Sequence, residues 1–311
     1  MFRISDLILV VVVFSSMGAG ILFPEPTAVF HPYPVYFMMC LLFLSFLSID
    51  LGSVYGVIGK RWRTVLWLTV LKMLILPVFV YLIFRMVYPS YALPALLITG
   101  ISTGVVAPFI SSLVGANGPL VLVLVVVSSL LVPFTLPALI KLLIARDIQI
   151  SLTAMIRVLI LVVFVPAVAV EISRRVIPGL LERLHRARFY ISLVLFAVIN
   201  LGVFSKYSLF FRQNPATILE ALMVALVLAG LYLILGILAV YKAPPQDQLA
   251  SVIGFGNMNN VLVIVFAAQF FGPLEPTLAS VYMIPFFGLI FPMRAYRELL
   301  KKKSSDEKGD S

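Results

Sequence analysis

An apolar stretch late in the chain, residues 249–271, is interrupted by Gly254-Phe255-Gly256-Asn257-Met258-Asn259-Asn260. Two glycines permit a backbone break, and three asparagines can bond both the carbonyls that a break frees and a ligand held there. Such groups bind; they do not attack or relay protons. The competing role for them is to fasten one helix to another. An earlier stretch, Thr99-Gly100-Ile101-Ser102-Thr103-Gly104 with Pro108 and Ser111-Ser112 following, has the same character. Small and hydroxyl residues are common in membrane helices, so this stretch gains its meaning from the pairing with the first. Asn257, Asn259, Asn260, Ser111 and Ser112 are the expected substrate-binding residues.

Lys72 is the third feature. It sits inside the apolar stretch 65–87, ahead of Pro77. An ammonium in hydrocarbon is costly unless it is paired or reaches water. Snorkelling to the surface marked by Arg63, about 13 Å away at about 1.5 Å per residue, is the alternative to a coupling role inside the bundle. Asp50 and Glu220 lie near the ends of their apolar stretches and are expected at the interface. Glu171 is expected to pair with Arg174 or Arg175 one helical turn on.

Catalytic groups are missing from this inventory. No Gly-rich phosphate loop, His/carboxylate cluster or carboxylate pair within one apolar stretch is present. His31 and His185 fall in different loops, and the single cysteine, Cys40, excludes a thiolate cage. The expectation is a carrier with no catalytic residue, no metal site and no cofactor.

The elements that must hold these residues follow from composition. Some 62% of the 311 residues are hydrophobic and 12% charged, against about a quarter charged in a soluble domain. A surface so poor in charge requires lipid as its solvent. The net charge of +10 does not indicate nucleic acid, because the bases cluster in short segments between apolar runs. A bilayer core about 30 Å thick takes about 20 apolar residues per helix. That rule predicts spans at 7–23, 35–54, 65–87, 93–114, 120–143, 153–172, 189–204, 218–241, 249–271 and 278–293. The first of these, followed by Pro24-Glu25-Pro26, is expected as a span and not a cleaved leader. Lys60, Arg61 and Arg63, then Arg174 to Arg188, then Lys301 to Lys303 fall on one side if there are ten spans. Both termini are then cytoplasmic, in a multi-pass protein of a bacterial-type inner or plasma membrane.

The chain also reads as doubled. Residues 60–81, a basic loop and then a helix, resemble 212–233. Each half goes on to an interrupted helix and a proline-punctuated one. Five spans per half is an odd number, so the halves, 1–150 and 151–300, are inverted relative to each other, with 301–311 a disordered tail. The fold expected is all-α: ten transmembrane helices in two inverted five-helix repeats, with two discontinuous helices crossing near the midplane.

These residues resemble the bile-acid:sodium symporter family, across nearly the whole chain and at a distance. The resemblance is carried by the Lys72 to Pro77 stretch, by 117–137 and by 254–262. It implies a panel domain beside a core made from spans three to five and eight to ten, with the fourth and ninth helices unwound. It also marks departures. The family's Glu-x-Gly-x-Gln-Asn pattern meets Gly256 and Asn259, but its glutamate falls on Gly254 and its glutamine on Met258. Its Ser-Asn pair falls on Ala107 and Pro108, its hydroxyl ligands on Val121 and Val125, and a glutamine on Lys72. Sodium needs several oxygens, and these positions supply almost none. The expected function is therefore transport of a small organic anion by alternating access without the family's sodium sites, proton-coupled or as a uniporter. An auxin-efflux-type carrier of the same architecture, or a membrane ligand sensor or scaffold that transports nothing, are the alternatives. The partners expected are the anion and the bilayer, not nucleic acid, and no oligomeric state follows from the sequence.

Overall fold

The computed structural model describes residues 4–47, 49, 51–144 and 151–309; Asp50 lies outside them. Among the described residues every regular element is helical. In chain order they are α1 (Ile4–Leu22), α2 (Pro24–Thr27), α3 (Pro34–Phe46), α4 (Leu51–Val70) and α5 (Leu76–Val87). Next come α6 (Ala92–Gly100), α7 (Ala107–Val114), α8 (Gly118–Ile144), α9 (Leu152–Val176) and α10 (Pro178–Lys206). The remainder are α11 (Ser208–Gln213), α12 (Ala216–Ala239), α13 (Pro245–Gly256), α14 (Asn260–Phe270), α15 (Leu274–Val281), α16 (Met283–Gly288) and α17 (Ile290–Gly309).

Among the described residues six helical stretches are long and apolar enough to cross a membrane, and a seventh if the α1–α2 pair, bent by 113°, is one span. Their outward faces carry Leu66, Leu142, Val168, Leu219 and Val227, all exposed, which only a lipid solvent tolerates in such number. The chain is thus a multi-pass membrane protein. The other expected spans are either short, as in α3, or split, as in α6 with α7 and α13 with α14. The last helix, α17, runs to Gly309.

The helices sort into two groups. α3 packs on α9 and α10, and α1 packs on α10; α4, α5, α6, α8, α12, α13 and α15 pack on one another in the second group. The groups meet where α8 touches α9 and where α14 touches α3. Much of the positive charge secures helix ends. Arg212 donates to Leu22 O at the end of α1, Arg294 to Leu113 O and Arg297 to Val114 O at the end of α7. A cation there satisfies carbonyls that have no partner within the helix and opposes its dipole. Arg174 bonds Ile49 O at 2.7 Å and also pairs with Glu171 at 2.9 Å, as its spacing predicts. Arg61, at a kink in α4, forms a two-pronged ion pair with Asp247 in the first turn of α13, and Asn117 donates to the same carboxylate at 2.8 Å.

Candidate functional site

The two glycine- and asparagine-bearing stretches meet. α6 stops at Gly100, where Ile101 turns to extended backbone, and α13 stops at Gly256. Between the breaks Thr103 and Met258 form an antiparallel bridge. Gly104 N–H donates to Asn257 O at 2.8 Å, and Asn259 N–H donates to Ser102 O at 2.9 Å. Main-chain groups that each break frees are therefore satisfied by the other break, which is what allows irregular backbone inside a membrane protein. Gly104 is dictated by that approach, since a Cβ on it would stand 2.6 Å from Met258 O.

Side chains complete the junction. Ser128 Oγ accepts from Thr103 N–H at 3.0 Å, and Thr103 Oγ1 donates to Gly254 O at 2.8 Å. Asn257, fully buried, donates to Phe286 O at 3.0 Å. Asn259 caps α14 by accepting from Leu262 N–H at 3.2 Å. Asn260 Nδ2 lies 3.0 Å from Met283 Sδ. The carbonyl oxygens of the Asn257 and Asn260 side chains are buried without a partner.

Beside the junction lies a cavity of about 680 Å³, bounded by α3, α7, α10, α14 and α16. Gly104, Val106, Asn259 and Asn260 line it from the junction; Arg188, His185 and Ser192 line it from α10, and leucines and phenylalanines make up most of the rest. The starts of α7 and α14 both reach this cavity. Each helix N-terminus contributes a partial positive charge of about half a unit, so the cavity combines two positive helix ends, a guanidinium, an imidazole and two amides with apolar walls. That combination suits an anion with an apolar body.

The expected site residues divide accordingly. Asn259 and Asn260 reach the cavity, while Asn257 backs it and ties the junction to α16. Ser111 is buried with its hydroxyl on Pro108 O, Ser112 is exposed with its hydroxyl on Phe109 O, and neither lines the cavity. Both serines bond the carbonyl three residues back in their own helix, the local competition that such side chains favour. Lys72 does not snorkel. It is 1% exposed, and its ammonium donates to Thr99 O at 2.8 Å, in α6 and not in the 254–260 segment. Arg188, His185 and Ser192 were missed because the sequence reading placed 185 and 188 in a surface loop. Their spacing, with Phe196, puts them on one face of α10, and that was the available signal.

Side-chain oxygens are missing at the positions where the resemblance places the symporters' sodium ligands. Gly254, Met258, Ala107, Pro108, Val121 and Val125 offer no side-chain oxygen. The Ser102, Gly254 and Asn257 carbonyls already accept bonds across the junction.

A family model described as the SBF-like CPA transporter family matches residues 6–287. It is related to the bile-acid:sodium symporters, a more distant grouping for this chain. No curated protein matches the chain.

Proposed function

The chain belongs to the SBF-like CPA transporter family, and from that footing we propose that it is a secondary carrier of a small organic anion working by alternating access. The observation that carries this reading is the position of the cavity. It lies between the α3–α10 side and the junction of two broken helices, with both helix N-termini, Asn259, Asn260 and Arg188 turned to it. An anion entering from water exchanges hydration for the two helix dipoles and the Arg188 guanidinium.

In this reading the six long helices, the bent α1–α2 pair, α3 and the two broken pairs make ten spans. They form inverted halves, 1–150 and 151–300, with both termini cytoplasmic. The group containing the junction moves as a body against the group containing α10 and exposes the cavity to each side in turn. Transport proceeds without the symporters' sodium sites. A sensor or scaffold would bind the same anion and move none.

The test is flux into proteoliposomes carrying the purified protein, over a panel of carboxylates, with sodium or potassium as the external cation. Uptake of at least one carboxylate, equal in the two salts and abolished by Arg188→Gln with Asn260→Ala, is expected. Saturable binding without flux would overturn the carrier reading.

A further inference from the structure

Lys72 is buried yet lies outside the cavity, and no carboxylate pairs with it among the described residues. An ammonium in that position is costly and should have been lost unless it does something.

Its surroundings are built around it. The helix widens into a π turn at Leu71–Ile75, between α4 and α5, a rare geometry that recurs at functional positions. Pro77 follows after Leu76 and has no N–H to offer the turn before it. The acceptor of the ammonium, Thr99 O, belongs to the last turn of α6, the negative end of that half-helix. The Thr99 hydroxyl in turn meets the Tyr232 hydroxyl at 2.6 Å. Tyr232 packs edge-on against Tyr282, with centroids 6.1 Å apart, and the Tyr282 hydroxyl donates to Gly256 O at 2.9 Å. Gly256 is the last residue of α13. The ammonium thus touches the carbonyl end of α6 directly, while the end of α13 is reached only through the Tyr232–Tyr282 ring contact.

We propose that Lys72 is a tethered cation that neutralises the carbonyl end of α6 and so locks the junction from behind, where a dissociable cation would otherwise be required. The charge is carried by the chain itself and stays at the junction. Its consequence for coupling rests on the carrier reading above: flux is then independent of a sodium gradient. The junction's own independence of small cations does not rest on that reading.

Thermal unfolding of the purified full-length protein in detergent tests it. The wild-type melting temperature should be the same in sodium, potassium and choline chloride. Lys72→Met keeps the length and removes the charge, and should lower the melting temperature by about 5 °C or more. Lys72→Ala should fall further and recover at least half of its loss in ethylammonium chloride, but not in choline chloride. A lysine that is merely tolerated predicts the opposite sign, because Lys72→Met would relieve a buried charge; an unchanged or higher melting temperature overturns the proposal. Should the variants fail to fold, the wild-type arm decides, since stabilisation by sodium over choline also overturns it. None of these readouts involves flux. A protein that passes them and transports nothing refutes the carrier reading alone.

Discussion

Gly104 donates its backbone N–H to the carbonyl of Asn257 at 2.8 Å, so two helices that are each interrupted are joined through main chain. The neighbouring Thr103–Met258 bridge and the Asn259 to Ser102 bond make this an isolated antiparallel bridge inside a helical protein.

Gly104→Ala puts a methyl group 2.6 Å from Met258 O, a backbone atom that cannot swing aside. The junction must open, and a loss of about 2–3 kcal/mol is expected, in line with overpacking at a rigid site. Gly179→Ala, with nothing within 4 Å of the added carbon, should leave the melting temperature unchanged. Equal stability of the two variants would remove the junction from the account.

The amides and the serines separate in a binding assay. Asn260→Ala should weaken carboxylate binding by about tenfold, the equivalent of one hydrogen bond to a charged group. Ser112→Ala should bind as the wild type does, because its hydroxyl is held on Phe109 O away from the cavity. Isothermal titration with the carboxylate found in the flux screen reads both.

Asp247→Ala leaves Arg61 and Asn117 without their acceptor and unties α13 from α4 and α8. A fully buried pair would lose about 3–5 kcal/mol. Arg61 keeps 36% of its side chain exposed, so about 2 kcal/mol is expected. Pairing it with Arg61→Ala in a double-mutant cycle should recover part of the loss.

Thiol labelling tests the cavity and the topology together, after Cys40, which is exposed, is changed to serine. Ser192→Cys should react more slowly when the transported carboxylate is present. Gly59→Cys and Gly179→Cys both project into open space and should label from the cytoplasmic side. Reaction of these two from opposite sides would break the ten-span arrangement.

The breaks at Gly100 and Gly256 were readable because glycine and asparagine have little reason to sit in a helix that faces lipid. Their contact is likewise an expectation of the sequence, and the bonds between Gly104, Asn257, Ser102 and Asn259 meet it. The side-chain directions were not readable. Ser111 and Ser112 look like ligands in the sequence, but a hydroxyl can always turn back to its own helix, and no local pattern says that it will. Arg188 was hidden for the opposite reason. The apolar count that marks a span begins at 189, while the helix itself begins at Pro178, so its polar first turns look like loop. Lys72 was visible as an anomaly, but its partner in α6 depends on how α5 and α6 pack, which hydropathy does not encode.

The main-chain bonds between Gly104, Asn257, Ser102 and Asn259 have a consequence for substitution. A junction whose cross-links are main-chain bonds places its sharpest demand at one position, Gly104, where the two segments touch. Side chains that face the cavity, such as Ser192 and Arg188 on α10, can then be exchanged without touching the bonds that join the two broken helices.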